Sequence, residues 1–562
     1  MPDSTLMKAL RPPEDMPDIH LIDWPAGSGK TRAVIKDVIK AVKKGYKVVW
    51  TTPTVGVLQA ETLARLVGNS VADGLGEYLS EYDVHICNAQ LREEEGYPDI
   101  GSMISQKVLD DIEQAPSEGR VFLCSWVGFL AAKQLRSATK FLNFPKSRLI
   151  IDEVPDVVEF SFYQSKDVNF GNYLSFSDGA VEPLADQVSH WELTTKGRSG
   201  NSVFDESTRL KALAELLVHP SYVTTKASYK KKAQMYLTSY LKPSVLSSFK
   251  EVEVLGANSR DSLMCLLYSR WGVSFQINKK YNDDRKNTES LGDLFTIVPI
   301  QDESITKNSM TKAHKAKWVM QRLLAIVEGF YGEAKPFIYC LNNGVKAGLM
   351  PVHAKETDTM LQGSNDYIEY EAAAFLTSLN PGREFLLDLE IRWGIDYGSY
   401  LRAKTAEVSY QYSYRIKARL GDRSLADRYL IVVLDRLNAA ALSEKIEGSV
   451  VDQSYLQEDP EHHYNGNAGR GITGFLKVDQ ADNKFLRRCK SDIKVYREHK
   501  PAASLSEALS VLGGIKYKKL LSMANKYDVG VSEFEAVILG AKGSAIFPRP
   551  GLAALDYGFS IQ

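Results

Sequence analysis

A five-residue run, Gly27-Ser28-Gly29-Lys30-Thr31, has the residue types and spacing to hold a polyphosphate. Two glycines let backbone N–H groups turn toward phosphate oxygens, and a helix start behind them adds its positive end. Lys30 can reach the β- and γ-phosphates, and the Thr31 hydroxyl can ligate Mg²⁺. Pro25 and Ala26 complete the loop that would bind ATP. A second constellation, Asp152-Glu153, follows an apolar run. Asp152 can hold Mg²⁺, directly or through water, while Glu153 polarises an attacking water as general base.

Each constellation needs an element to position it. Ile19 to Ile22 is a short apolar run of strand length, and Thr31 to Ile39 has helical spacing. Strand, glycine turn and helix form the context that a phosphate loop requires. One departure is Trp24, which stands where the full loop pattern has glycine. Residues 46–54 read as a second strand ending in Thr52-Pro53-Thr54, before a helix carrying Leu58, Leu63 and Leu66. Further strands are expected at 120–125, ending at Ser125-Trp126, and at 147–151, ending at the acidic pair. Alternating strands and helices predict a parallel sheet with ligands at the carboxyl ends of its strands.

The chain has 562 residues, enough for about two to four domains. It is 44% hydrophobic and 25% charged, with a formal net charge of −1, so any nucleic-acid surface is a local patch. Its five scattered cysteines form no Cys-x-x-Cys pair, which argues against a zinc site or a disulfide framework and for a reducing, cytoplasmic compartment. No apolar run is long enough to span a membrane, and Met1 to Asp15 lacks a signal-peptide core.

The phosphate loop, Thr52-Pro53-Thr54 with Leu58-Gln59, and Asp152-Glu153 together resemble the first motifs of superfamily-two helicases of the DEAD/DEAH-like kind. The resemblance implies two RecA-like α/β lobes with ATP and Mg²⁺ between them. It also implies nucleic-acid contact through Thr52, Pro53, Thr54 and Ser125. Gly256-Ala257-Asn258 looks like a divergent form of the tripeptide that couples the ATP site to the strand. Gln411 to Arg419 is similar to the family's sixth motif, in which an arginine reaches the γ-phosphate. Arg415 matches that spacing and Arg419 is the second candidate, with the choice between them open. Gly363-Ser364-Asn365-Asp366 loosely resembles the fifth motif.

The expected organisation is a first lobe at 1–285 with an insertion at 156–250, a second lobe at 286–447, and a helical accessory region at 448–562. Within the insertion, Lys230 and Lys231 with nearby tyrosines suit a single strand, because lysines track phosphates and rings stack on bases. The alternative there is a solvated helix whose tyrosines cover core. In the second half, Tyr370 to Leu379 reads as a helix stopped by Asn380-Pro381-Gly382, and Phe385 to Leu389 reads as a strand. His462-His463 lies in a linker-like stretch, and a basic segment spans Lys484 to Lys500.

The function expected is an ATP-dependent helicase or translocase on DNA or RNA, with DNA favoured. A replication-protein partner would dock on the C-terminal region. The compact motifs suit a viral or phage enzyme working in host cytoplasm. The rivals are a terminase-like packaging motor and a nucleic-acid-binding protein with a non-motor ATP site.

Overall fold

The computed structural model describes residues 4–53, 57–68, 78–88, 94–96, 100–131, 146–164, 174–177, 180–183, 221–226, 234–281, 291–302, 304–345, 350–359, 366–379, 381–425 and 428–457. Thr54, Lys230, Lys231, Gly363 to Asn365, His462-His463 and the basic segment lie outside them.

Five strands come first: β1 (Ile19–Asp23), β2 (Lys47–Thr52), β3 (Val84–Cys87), β4 (Arg120–Ser125) and β5 (Ser147–Asp152). Five more follow: β6 (Val158–Gln164), β7 (Leu174–Ser177), β8 (Ala180–Pro183), β9 (Tyr222–Lys226) and β10 (Gln234–Leu241). Then come β11 (Glu251–Gly256) and β12 (Phe275–Ile277). The first sheet has seven strands in the order β12-β1-β11-β5-β2-β4-β3, all parallel. Side chains alternate between its faces, as strand geometry requires. Ile22, Val48, Trp50 and Ile150 pack on one face with Val34, Val38 and Val42 of the helix Lys30–Lys43. Leu21, Val49, Leu149 and Ile151 pack on the other. Burial on both faces explains why β2 and β5 are buried along their whole length.

Register fixes which residues share an edge. Asp23 pairs with Gly256, Leu255 with Asp152, and Thr52 with Ser125. The phosphate loop, the acidic pair, the 256–259 turn, and the Thr52 and Ser125 exits therefore leave the sheet side by side.

Between β5 and β11 the chain forms a five-stranded antiparallel sheet in the order β6-β10-β9-β8-β7. Residues 234–241 are strand, not helix, and Tyr236 and Tyr240 are buried, so neither ring is presented to bases. Tyr240 Oη instead donates to Asp388 Oδ2 at 2.9 Å.

The second parallel sheet contains β13 (Phe295–Gln301), β14 (Phe337–Leu341), β15 (Ala354–Glu356), β16 (Ala372–Leu376), β17 (Tyr429–Asp435) and β18 (Val450–Val451). Their order is β15-β14-β16-β17-β13-β18. Two expectations reverse here. Ala372–Leu376 is a fully buried strand, where alanine's helix preference yields to a slot between β14 and β17 that admits small side chains. Phe385 to Leu389 lies inside the helix Arg383–Trp393, whose Phe385, Leu389 and Trp393 repeat every four residues and are buried. That helix follows β16 in the chain yet joins the apolar core of the first sheet. Trp393 meets Tyr240 at 5.6 Å and Trp271 at 5.4 Å between ring centroids, both near-perpendicular. Among the described residues, no helix is long and apolar enough to cross a membrane.

Trp393→Ala removes an aromatic anchor from this shared core. It is expected to cost about 3–5 kcal/mol in equilibrium urea denaturation, and a loss below about 1 kcal/mol would contradict the packing.

Candidate nucleotide and nucleic-acid site

The loop after β1 is shaped by its own residues. Gly27 and Gly29 adopt left-handed φ values of 76° and 87°, a conformation that glycine reaches without strain. Ser28 is buried, and its hydroxyl donates to the Pro25 carbonyl at 2.6 Å. Trp24, the departure from pattern, packs into the core beside the helix Lys30–Lys43. Lys30 Nζ donates to the Trp24 and Pro25 carbonyls at 2.9 and 3.0 Å, and its third proton remains for another acceptor. Burial pulls the Lys30 ammonium down to about 8, against the opposing charges of Asp152, Glu407, Glu153 and Asp23. Thr31 is the second residue of the helix, with Asp152 at the end of the nearby β5.

Asp152 and Glu153 are held differently. Burial pushes Asp152 up to about 6, and Lys30 pulls against it. Glu153 has a φ of 77°, and its N–H donates to the Leu255 carbonyl at 2.9 Å. Left-handed backbone at a non-glycine residue stores strain of about 1–3 kcal/mol and collects at functional sites. Burial lifts Glu153 to about 7, with Arg415 opposing the shift. Among the described residues its Oε2 is buried without a hydrogen-bond partner, so the site holds an acceptor atom that the protein itself does not satisfy.

The second half of the chain meets these groups directly. Gln411 lies on the helix Glu407–Ser413, and Arg415 follows the helix end. Arg415 Nη2 lies 3.5 Å from Glu153 Oε1, and Arg415 is buried. Arg419 is pulled down to about 10 by burial and then by the charge of Arg415. Tyr410 Oη accepts the Ala26 N–H at 3.2 Å. A Cβ added to Gly27 would stand 2.7 Å from the Arg419 carbonyl oxygen, so loop and arginine segment are in close contact. The donor set fits a nucleotide triphosphate with Mg²⁺: loop amides and Lys30 for phosphate, Thr31 and Asp152 for the metal.

The residues expected at the nucleic acid are less exposed. Thr52 is buried and its hydroxyl donates to the Cys124 carbonyl at 3.4 Å. Ser125 Oγ accepts the Gly128 N–H at 3.0 Å. The Thr52 hydroxyl ties β2 to β4, the Ser125 hydroxyl holds its own turn, and Pro53 is half-buried. The exit of β16 was missed because its alanines read as helix. There Asn342 Oδ1 accepts the Ser378 N–H at 2.8 Å, and Asn342 Nδ2 donates to the Ser378 carbonyl at 3.0 Å. Beside this lock is a recess of about 270 Å³ lined by Lys307, Asn342, Asn343, Thr359, Thr377 and Lys404.

No protein-family model and no curated protein matches the chain. Among solved structures it is similar to the DUF1998 helicase MrfA bound to DNA and AMPPNP. That match has 8% identity and a TM-score of 0.28, over 75% of this chain and 46% of that one. It is also similar to S. cerevisiae Dbp5, solved as a variant with RNA and ADP BeF3, at 9% identity and a TM-score of 0.30, over 80% and 89%. A third match is the ATP-dependent Type ISP restriction-modification enzyme LlaBIII bound to DNA, at 12% identity and a TM-score of 0.26, over 93% and 36%. The chain thus spans less than half the length of MrfA and of LlaBIII. The fold itself is read from the two parallel sheets and their crossover helices. The described residues form two α/β lobes, each built on a parallel sheet. The phosphate loop and acidic pair belong to the first lobe, and the arginine segment to the second.

Gly27→Ala forces a side chain into left-handed backbone against the Arg419 carbonyl. The variant is expected to lose about 1–2 kcal/mol of stability, and a fluorescent ATP analogue is expected to bind about tenfold more weakly. Wild-type values in both titrations would contradict the contact.

Proposed function

We propose that the chain is an ATP-driven nucleic-acid motor, a helicase or translocase that hydrolyses ATP between its lobes. The observation that carries this reading is Arg415, a second-lobe cation 3.5 Å from the first lobe's Glu153. A kinase or GTPase with one lobe has no need of an arginine brought from a second sheet.

The roles follow from the chemistry. Amides of Gly27 to Lys30 hold phosphate oxygens, and Lys30 offsets their charge. Bound Mg²⁺, held by Thr31 and Asp152, would neutralise charge between the β- and γ-phosphates. Glu153 orients the attacking water and takes its proton as the oxygen bonds to the γ-phosphorus. The bond from that phosphorus to the bridging oxygen breaks, and ADP leaves. Arg415, with Arg419 beside it, spreads positive charge over the transferring phosphoryl group. A strand would lie along the carboxyl edges of both sheets, near Thr52-Pro53-Thr54 and Ser125 on one lobe. On the other lobe, Lys307 and Lys404 in the recess suit phosphate, Lys404 being shared with Asp156. Contact of both lobes with one strand converts closure into movement.

The test is ATP hydrolysis with and without single-stranded DNA or RNA. The strand is expected to raise the wild-type rate about tenfold or more, with Lys30→Ala and Glu153→Gln each lowering it at least about 100-fold and chelation of Mg²⁺ abolishing it. Absence of hydrolysis by the wild type with every strand would sink the motor reading.

A further inference from the structure

The phosphate loop is also held from the second lobe by a side chain to which none of the roles above assigns a task. Tyr410 lies on the helix Glu407–Ser413 and is buried. Its hydroxyl accepts the Ala26 N–H at 3.2 Å, across 384 residues of sequence. Ala26 in turn packs against the apolar core of the second lobe, which includes Tyr410, Tyr412 and Ile416. The bond joins a loop amide to a side chain fixed in that core, so it sets where helix and loop meet.

The helix is fastened to the first lobe at a second point. Residues three apart share a helix face, which puts Glu407 and Tyr410 on one side. Glu407 Oε2 lies 3.3 Å from Lys445 Nζ, which lies 3.5 Å from the Asn258 carbonyl of the first lobe. Tyr410 meets the phosphate loop one turn further on.

The path from Tyr410 to Arg415 is short. The Tyr414 N–H donates to the Tyr410 carbonyl at 3.2 Å, and the two rings lie 4.8 Å apart between centroids. The Arg415 N–H donates to the Tyr412 carbonyl at 3.0 Å. Arg415 then stands with Nη2 3.5 Å from Glu153 Oε1. Beyond it, the Arg419 carbonyl closes on Gly27. The segment that carries Arg415 is thus seated on the loop both before and after the arginine, at Ala26 and at Gly27.

We propose that Tyr410 is a positioning residue. Its hydroxyl docks residues 410–419 on the phosphate loop and so aims Arg415 at the phosphate that the loop holds. The inference deepens the reading above and rests on Arg415 as the arginine that acts on the transferring phosphoryl group. The nucleotide itself is held by first-lobe amides and Lys30. Loss of the Tyr410 hydroxyl therefore leaves binding in place and misplaces the guanidinium. Once the guanidinium is gone, the hydroxyl has nothing left to aim.

The experiment measures single-turnover hydrolysis, with strand and ATP saturating, beside titration of a fluorescent ATP analogue. It compares the wild type, Tyr410→Phe, Arg415→Ala and the Tyr410→Phe/Arg415→Ala double variant. Tyr410→Phe keeps the ring, and is expected to react at least about tenfold more slowly with analogue affinity within about threefold of wild type. The double variant is expected to react within about threefold of Arg415→Ala alone. A hydroxyl that only stabilises the lobe contact would slow Arg415→Ala further by the same factor, or weaken nucleotide binding in step with the rate. Either result, or a wild-type rate in Tyr410→Phe, overturns the proposal and leaves the motor reading standing. Absence of hydrolysis by the wild type with every strand removes the motor reading and this inference together.

Discussion

Charge taken out of water at the meeting of the two lobes is the constraint on which the site depends. Lys30, Asp152, Glu153, Glu407, Arg415 and Lys445 are all largely shielded from solvent, and none would stay ionised at low cost alone. Unlike charges offset that cost: Arg415 lies 3.5 Å from Glu153, Lys445 lies 3.3 Å from Glu407, and the charges of Asp152, Glu407 and Glu153 act on Lys30. The first lobe brings two carboxylates and a lysine, and the second brings an arginine, a lysine and a carboxylate. The parallel register of the first sheet makes this possible by releasing Asp23, Asp152 and Gly256 at one edge. Strained backbone at Glu153 and Asn258 occurs where those strands end, and among the described residues these are the non-glycine positions with positive φ.

The lobes are joined by more than this charged seam. The helix Arg383–Trp393 follows a strand of the second sheet but buries Phe385, Leu389 and Trp393 in the core of the first. At about 2 kcal/mol per large apolar side chain, pulling it free would cost about 6 kcal/mol. In the proposed motor, rearrangement of the lobes would pivot on this helix. The antiparallel sheet inserted after β5 supplies part of its seat through Phe160 and Tyr240. The insertion thus has a structural role that its polar, serine-rich sequence does not announce.

The strands at 19–23, 47–52, 120–125 and 147–152, with the glycine turn and the carboxylates at two of their exits, were legible because each follows from local chemistry: glycines before a lysine, or apolar runs with charged exits. Proximity of Arg415 to Glu153 was legible only through resemblance, since 262 residues separate them in sequence. The reversed elements show what local reading lacks. The alanines of β16 favour helix until a slot between two strands decides otherwise, and that error hid Thr377 and Ser378 at a strand exit. The tyrosines of β10 looked suited to bases because nothing near them in sequence reveals Trp271, Asp388 and Trp393. The Glu407–Lys445 pair carries no motif, and only the folded lobes bring it to Asn258.

The central claim is that a second-lobe arginine acts on a phosphate held by the first. Single-turnover hydrolysis by Arg415→Ala, with strand and ATP saturating, tests it most directly. The account predicts a fall in rate of about 10³-fold or more with ATP affinity within about threefold of wild type. A rate within about threefold of wild type would contradict it.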